Sequence, residues 1–232
     1  MENPITVDRN EIFRGNRILN YTTEGIVKLS AVPGIDIKHY GKNSLVIIRG
    51  DLKKCNCVNV RAFMGEGSIL DIGENFRVRF NSTIDARADN VSVRIGKNAN
   101  VGELIISAGD EPRLSLDIGD NFLASIGCYI RLADGHTIFD LESGEILNHP
   151  TAGIKIGNHV WCGYNTTILK NTEIPSDCII GAGSIVSGFK FQNNSIIAGV
   201  PAKVIRTGVG WDSRTINKYL NLVEYRVGSD RR

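Results

Sequence analysis

The 232-residue sequence predicts an all-β protein whose short strands coil around a triangular prism. Three observations support this prediction. The composition includes 30 isoleucines, 25 glycines and 21 asparagines, which suits short strands joined by tight corners and suits long helices poorly. Every sixth position from Ile156 to Val186 is apolar or a thiol. Residues 71–139 repeat with a period of 23. Together these patterns indicate a hexapeptide parallel β-helix.

The six-residue period is the strongest of these patterns. Its lead positions are Ile156, Cys162, Ile168, Ile174, Ile180 and Val186. Four positions after the first five come small or β-branched residues, namely Val160, Thr166, Thr172, Cys178 and Ser184. A helix would repeat at intervals of three and four, and a half-buried strand at intervals of two. A period of six instead predicts flat segments joined by corners, so that three segments close one coil of 18 residues.

The middle of the chain repeats with a longer period, which aligns residues 71–93, 94–116 and 117–139. We predict that the six-step continues inside each repeat and turns nine side chains inward: Ile72, Val78, Ile84, Ile95, Val101, Ser107, Ile118, Ala124 and Ile130. A period of 23 is 18 plus five, so each coil carries five extra residues at one corner. After the third repeat the same corner takes 20 extra residues, with His136 at the start. A loop of that length in a compact domain is usually functional.

The repeat also predicts how the rest of the chain is organised. We predict an N-terminal cap over 1–34, a β-helix domain over 35–205 with a long active-site loop at 136–155, and a C-terminal helix and tail over 206–232. Asp212 or Ser213 can cap that short helix. Its apolar residues fall at helical spacing, at Ile216, Tyr219, Leu220 and Val223. We expect the helix to close the prism.

Charge and targeting patterns exclude several classes of protein. The 27 basic and 25 acidic residues leave a net charge of +2 without long blocks of one sign, so bulk electrostatics suggests neither nucleic acid nor an anionic membrane. No apolar run approaches the ~20 residues of a membrane span, and the first residues lack the apolar region of a signal peptide. The five cysteines include no CxxC pair, and Cys55 and Cys57 give only a weak metal or redox indication. We expect a cytoplasmic protein with reduced thiols.

His136 is the candidate catalytic residue because it lies where the long loop leaves the coil. Imidazole titrates near neutrality, so it can accept a proton from a hydroxyl and return it to a leaving group. We expect His39, His149 and His159 to be solvated or engaged in structural contacts, and Cys162 to be a core thiol. The sequence has no GxSxG, HExxH, GxxxxGK[ST] or Rossmann glycine pattern. Nucleotide hydrolysis and hydride transfer are therefore unsupported.

Two stretches resemble a known family. The hexad run IGNHVWCGYNTTILKNTEIPSDCIIGAGSIV at 156–186 and AGVPAKVI at 198–205 resemble the hexapeptide-repeat acyltransferases of the left-handed β-helix type. The segment ADGHTIFD at 133–140, followed by a long loop and HVW, resembles the bacterial capsule and lipopolysaccharide O-acetyltransferases, including those that acetylate sialic acid polymers. The resemblance covers about residues 70–205. It implies left-handed winding, acetyl-coenzyme A as donor, no metal, and a homotrimer with active sites between subunits.

The resemblance also assigns site residues by position. It implies His136 as the catalytic base and Trp161 as part of the active site. It places coenzyme A contacts at Tyr164, Ala182, Ser187, Lys203 and Arg206. Many relatives have serine at the position of Tyr164, so an outward-facing aromatic without a coenzyme contact stays open there. The residues around Ala182 are small enough for the pantetheine arm, and the two cations can reach coenzyme phosphates. After the last hexad the chain departs from the family, which leaves the role of Lys190 open.

We therefore expect an O-acetyltransferase that moves acetyl from acetyl-coenzyme A to a sugar hydroxyl by direct attack, without an acyl-enzyme. The expected acceptor is a capsular or lipopolysaccharide component such as (poly)sialic acid. An N-acetyltransferase of an amino sugar or antibiotic is the alternative on the same fold. A zinc hydratase with His136, His149 and His159 as ligands is a rival, although their spacings of 13 and 10 do not match the coil. A non-catalytic β-helix scaffold is a second rival, and the intact AGVPAK segment argues against it.

Overall fold

A computed structural model describes residues 15–151, 153–188 and 191–221, which wind into a parallel β-helix with three faces. Its strands are numbered β1 to β23 along the chain. Face 1 contains β1 (Arg17–Thr22), β2 (Gly25–Leu29), β4 (Leu45–Arg49), β7 (Ile69–Ile72), β10 (Ser92–Ile95), β13 (Ser115–Ile118), β16 (Ile154–Ile156) and β19 (Glu173–Ile174). Face 2 contains β5 (Asn56–Cys57), β8 (Arg77–Val78), β11 (Asn100–Val101), β14 (Leu123–Ala124), β17 (Trp161–Cys162), β20 (Ile179–Ile180), β22 (Ser195–Gly199) and β23 (Ala202–Thr207). Face 3 contains β3 (Ile35–His39), β6 (Val60–Met64), β9 (Ser82–Ala86), β12 (Leu104–Ser107), β15 (Cys128–Arg131), β18 (Thr167–Ile168) and β21 (Ile185–Val186).

Each coil passes through faces 1, 2 and 3 in turn, and we name the corners 1–2, 2–3 and 3–1 after the faces they join. Six complete coils run from β4 to β21 in the described part of the chain. Val93 pairs with Leu116, a step of 23 residues, whereas Ile156 pairs with Ile174, a step of 18. In the 23-residue coils the extra residues lie at corner 3–1, as the repeat predicts. The 20-residue insertion lies there too, between β15 and β16.

The core extends along the whole prism, and in its C-terminal coils it consists of the side chains that the hexad run turns inward. All six lead residues, from Ile156 to Val186, are at most 3% exposed. The small residues in phase with them are buried as well, from Val160 to Ser184. Apolar burial is the main driving force of folding. The six-residue period therefore reports directly which side chains fill the prism, and the predicted parallel β-helix is confirmed.

One inward position was predicted wrongly. Ser107 lies in the outward row of face 3, half-buried, and Ile106 fills the prism at 0% exposed. Ile106 pairs with Ile84 and Ile130, the inward residues of the neighbouring coils. The corner between β11 and β12 has one residue fewer than its neighbours, so the strict six-step overshoots by one.

Corner 1–2 is built from glycines and left-handed residues that stack from coil to coil. A Cβ on Gly96 would lie 2.5 Å from the carbonyl carbon of Gly119, so the coils approach too closely for a side chain there. Asn75, Asn98 and Asn121 adopt φ values near 60° and join their amides in a ladder at 2.8 and 3.1 Å. Left-handed backbone favours asparagine and glycine. Several of the many asparagines therefore lie at the corners.

The ends of the prism differ from its middle. β1 pairs in parallel with β4 and forms a hairpin with β2, so face 1 already begins before residue 35. The predicted N-terminal cap also includes residues 1–14, which lie outside the described residues. A 3-10 helix over Leu52–Lys54 precedes β5. At the other end β22 and β23 form an antiparallel hairpin on face 2, with a cis peptide between Val200 and Pro201.

A short helical turn over 216–221 follows the last strand. Asp212 accepts a hydrogen bond from the backbone N–H of Arg214 rather than capping the helix. The predicted contact face is exposed, with Ile216 at 78%, so the described turn does not close the prism. Val223 and the rest of the predicted tail lie outside the described residues. None of the described helices is long and apolar enough to cross a membrane.

Candidate active site

The long loop at corner 3–1 folds back on itself as a small hairpin. Phe139 and Ile146 form an antiparallel bridge, and the backbone N–H of Leu147 donates to the carbonyl of Ile138 at 2.8 Å. Asp140 closes the tip, and backbone N–H bonds from Ser143 and Glu142, with the Ser143 hydroxyl, hold the pKa of its carboxyl below the usual value. The hairpin exposes a row of large apolar side chains, namely Ile138, Phe139, Leu141, Ile146 and Leu147. It is an ordered projection with an unpartnered apolar surface.

His136 lies at the base of this hairpin, where the chain leaves the coil. Its side chain is exposed. Its backbone carbonyl accepts a hydrogen bond from Asn148 Nδ2 at 2.8 Å. Across the described ranges no side chain hydrogen-bonds to its imidazole, so the ring nitrogens are free to meet a ligand. The backbone is thus held while the imidazole is available.

The base of the hairpin is held by polar contacts that the sequence did not predict. Lys170 Nζ, at the same corner of the next coil, donates to Asp134 Oδ2 and to the carbonyl of Asn148, both at 2.5 Å. Arg131 donates to the carbonyls of Ala133 and Asp134. The pKa of Asp134 is lowered, chiefly by the hydrogen bond from Lys170 and then by that from Asn148.

Face 2 carries an aromatic groove of about 410 Å³. Trp161 projects outward from β17 at 36% exposed, and Tyr164 follows at corner 2–3 at 51%. Trp211 packs from the C-terminal segment, with its ring centroid 5.9 Å from that of Trp161. It also stacks on His159 at 4.1 Å and 12°. Phe80 completes the apolar side. Sequence reasoning missed Trp211, which contacts a residue 52 positions away.

Three of the predicted coenzyme contacts share the C-terminal end of corner 2–3. Ala182 lies one coil beyond Tyr164, and the backbone N–H of Gly183 donates to the Tyr164 carbonyl at 2.7 Å. Lys203 pairs across the β22–β23 hairpin with Ala198, which packs on that corner. Both Ala182 and Lys203 are exposed.

The other two predicted contacts lie elsewhere. Arg206 is exposed towards the opposite end of β23, where it pairs with Ile196. Ser187 follows β21 at corner 3–1, the corner that also carries His136. Lys190 lies outside the described residues. The predicted site residues therefore fall into two groups, one at corner 3–1 and one on face 2 and corner 2–3. Face 3 separates these groups within one chain.

His159, His39 and the Cys162 thiol are engaged in structural contacts, whereas His149 is exposed in the loop. His159 Nδ1 lies 2.9 Å from Asp177 Oδ1 in the corner ladder, as expected for an engaged histidine. His39 Nδ1 lies 2.6 Å from Ser44 Oγ, and burial lowers its pKa. Cys162 is a core thiol whose pKa is raised by burial. Among the described residues no three His, Cys, Asp or Glu side chains converge as metal ligands. The described coil keeps His159 in the corner ladder, away from the loop histidines of the zinc-hydratase hypothesis.

The comparisons with known proteins agree with this architecture. No family model matches the chain. The chain is 30% identical over 196 residues to the polysialic acid O-acetyltransferase of Neisseria meningitidis, covering 84% of this chain and 86% of that protein. It is 32% identical over 169 residues to the galactoside O-acetyltransferase of Escherichia coli K12, covering 72% and 66%. Among solved structures, the polySia-specific acetyltransferase NeuO superposes with a TM-score of 0.64 at 24% identity, covering 87% of this chain and 79% of that one.

The triangular coils form a left-handed parallel β-helix, the fold that the chain shares with this solved structure. With these relatives, the chain belongs to the hexapeptide-repeat O-acetyltransferases, and it is an acyl-transferring enzyme.

Proposed function

We propose that this enzyme transfers acetyl from acetyl-coenzyme A to a hydroxyl of a sugar, with His136 as general base. The observation that carries the proposal is the exposed imidazole of His136 on an anchored backbone at the start of the long loop. The relatives' names support a sugar acceptor, since they include a polysialic acid and a galactoside O-acetyltransferase. An acidic capsular or lipopolysaccharide sugar such as (poly)sialic acid is the acceptor we favour.

The proposed chemistry needs one acid–base group. Acetyl-coenzyme A supplies the acetyl group as an activated thioester. His136 accepts the proton of the acceptor hydroxyl as its oxygen bonds to the carbonyl carbon. A corner backbone N–H stabilises the negative charge on the carbonyl oxygen. His136 then returns the proton to the sulfur as the C–S bond breaks. Every bond and proton in this reaction is accounted for without an acyl-enzyme and without a metal.

The described residues suit a coenzyme along the C-terminal coils. Ala182 and Gly183 leave corner 2–3 without bulky side chains, so an extended pantetheine arm can approach backbone amides there. Lys203 and Arg206 present exposed cations on the edge strand β23. In the described part of the chain neither cation has an ion-pair partner, so both are available to phosphates. Ser187 lies across face 3 at corner 3–1, so in this proposal its hydroxyl meets the coenzyme held by a neighbouring copy.

We infer that the working enzyme is a homotrimer with its sites between subunits. His136 and the aromatic groove lie on different sides of one prism, so a site that uses both must take them from two copies. The hairpin exposes apolar side chains, with Leu141 at 90%. Exposed apolar patches of this kind mark interaction surfaces. A neighbouring copy covers the hairpin in this proposal and brings its own groove to His136.

The five described cysteines are free thiols, which agrees with the expected cytoplasmic location. N-acetylation of an amino sugar or antibiotic stays the alternative, because the same base can deprotonate an attacking amine.

The proposal is tested by measuring free thiol release from acetyl-coenzyme A in the presence of a panel of acceptors. The panel contains polysialic acid, free and nucleotide-linked sialic acid, a galactoside and an amino sugar. We expect acceptor-dependent release with an ester product from a hydroxylated sugar, identified by mass spectrometry. Release with only the amino sugar, giving an alkali-stable amide, would support the alternative. Absence of coenzyme binding by calorimetry would instead support a scaffold.

A further inference from the structure

We propose that Lys170 is a positioning residue for His136, acting through Asp134 and Asn148. This inference rests on the proposed function, because it takes His136 as the base. Lys170 follows β18 in the coil after the long loop and reaches back to the loop's base. We call the set of Asp134, Asn148 and Lys170 the loop clamp.

The loop clamp joins both ends of the hairpin to the coil. The ammonium of Lys170 donates to Asp134 Oδ2 on the outgoing segment and to the carbonyl of Asn148 on the returning segment. Its side chain is only 18% exposed, so the contact is largely shielded from solvent. Charge-assisted hydrogen bonds of this kind are stronger than neutral ones. One side chain therefore sets the separation of the two segments.

Asn148 extends the loop clamp to the backbone of the catalytic residue. Its amide nitrogen donates to Asp134 Oδ2 and to the carbonyl of His136, both at 2.8 Å. Its amide oxygen accepts from the backbone N–H of Ile138 at 2.8 Å. Both N–H groups and the oxygen are thus used, and they fix the backbone on either side of residue 137. The orientation of the His136 ring then follows from a held backbone.

Positioning matters because His136 is exposed and its imidazole has no side-chain partner in the described structure. In many catalytic sites a carboxylate or carbonyl orients the histidine ring directly. Here the described contacts hold the main chain instead. A proton transfer requires the base within hydrogen-bond reach of the attacking hydroxyl, and small displacements cost much of the rate. Loss of the loop clamp should therefore lower kcat without changing the donor contacts.

The test compares steady-state kinetics of the purified full-length enzyme and its variants with acetyl-coenzyme A and the best acceptor of the panel. Lys170→Met should lower kcat by ~10-fold or more and leave the KM for acetyl-coenzyme A within about two-fold. Lys170→Arg keeps a cationic donor and should retain more of kcat than Lys170→Met. Lys155→Met is the matched control, since Lys155 is an exposed lysine on face 1, and it should match wild type.

A second arm asks whether Lys170 acts through His136. In a His136→Ala background, adding Lys170→Met should change the residual rate by less than about two-fold, because groups that act as a unit are not additive. A further drop equal to that of the single variant would overturn the proposal. So would a Lys170→Met enzyme with near wild-type kcat, or one changed only in KM. If His136→Ala alone is fully active, the proposed base is wrong, which is a different result.

Asn148→Asp keeps the test decisive if Lys170→Met does not fold. Aspartate is isosteric with asparagine, and residue 148 lies in the loop. The substitution replaces two N–H donors with a carboxylate that faces Asp134. We expect the same loss in kcat at constant KM. A folded Asn148→Asp enzyme with wild-type kcat would overturn the proposal.

Discussion

At the scale of single residues, the role of a histidine in this protein depends on what surrounds its ring. His159 is engaged by Asp177 and stacked on Trp211, and His39 is bonded to Ser44. The imidazole of His136 is exposed, while its backbone is held. The sequence could place His136 at the loop because loop length is visible in the repeat. It could not show which other histidines were engaged, since their partners come from other coils.

His136→Ala should lower kcat by roughly 10²–10⁴, the range for losing one positioned acid–base group. Coenzyme binding should persist, because its proposed contacts are elsewhere. Steady-state kinetics and calorimetry measure both effects.

The matched control is His149→Ala, which removes an exposed imidazole from the same loop and should stay within a few-fold of wild type. If His149→Ala abolishes activity and His136→Ala keeps most of it, the loop carries the base at the other position.

Lys203→Ala and Arg206→Ala should each raise the KM for acetyl-coenzyme A more than they lower kcat. Both cations are exposed on β23, and a distant phosphate contact supplies binding that is equal in ground and transition states. Lys155→Ala, on face 1, controls for loss of a surface charge. A loss confined to kcat would contradict the coenzyme assignment for the residue concerned.

At the scale of elements, the hexads were predictable because each buried position has the same environment in every coil. The long loop was predictable for the same reason, since it interrupts a regular pattern. Ser107 was misplaced because corner lengths vary by one residue, and a one-residue slip turns a strand's side chains to the opposite face. Only the pairing of Ile106 with Ile84 and Ile130 reveals the shorter corner.

This correction predicts a sharp contrast between adjacent residues of β12. Ile106→Ala should destabilise the protein by about 2–5 kcal/mol, because it opens a cavity in a core where Ile106 is fully buried. Ile105→Ala should cost less than about 1 kcal/mol, since that side chain is 41% exposed in the isolated chain. Urea unfolding of the two variants measures the difference. Equal losses would contradict this contrast, and a larger loss for Ile105→Ala would support the register with Ser107 inside, which buries Ile105 instead.

The loop clamp and the Trp211 contact could not be predicted from the sequence. Lys170 and Asp134 are 36 residues apart, and their contact depends on the path of an irregular loop. Trp211 reaches His159 across 52 residues after the repeat has ended. A periodic pattern predicts which residues are neighbours within the coils. It does not predict the contacts of segments that lie outside the repeat.

The loop clamp predicts an acid-dependent contribution to stability. The pKa of Asp134 is lowered in the folded protein by Lys170 and Asn148, so its contribution is present above the ordinary carboxyl pKa and is lost as pH falls through the lowered value. Asp134→Asn should lower Tm by about 1–4 °C at pH 7, as for a partly exposed ion pair. The gap to wild type should close towards pH 2. Melting curves at several pH values test this, and a constant gap would contradict it.

At the scale of the whole molecule, the prism keeps its chemical groups on separate sides. Corner 3–1 carries His136 and Ser187, whereas face 2 and corner 2–3 carry Trp161, Tyr164 and Ala182. A rigid stack of coils cannot bend to bring these groups together. A symmetric ring of subunits can, because each subunit presents one group to each neighbour.

Mixing two inactive variants tests this arrangement directly. His136→Ala destroys the loop half of a site and leaves the groove intact, whereas Trp161→Ala does the reverse. In trimers assembled at random from equal amounts of the two, a site needs an intact loop from one copy and an intact groove from its neighbour. About a quarter of the sites then meet both requirements.

Co-expression with two affinity tags, followed by tandem purification and the thiol-release assay, measures the recovered rate. Each variant purified alone is the control and should stay inactive. Every mixed trimer has one complete site out of three, so recovery to roughly a third of wild type is expected if neighbours share each site. Mixed trimers without recovered activity would contradict the shared site, because both variants would then have damaged a site built within one chain.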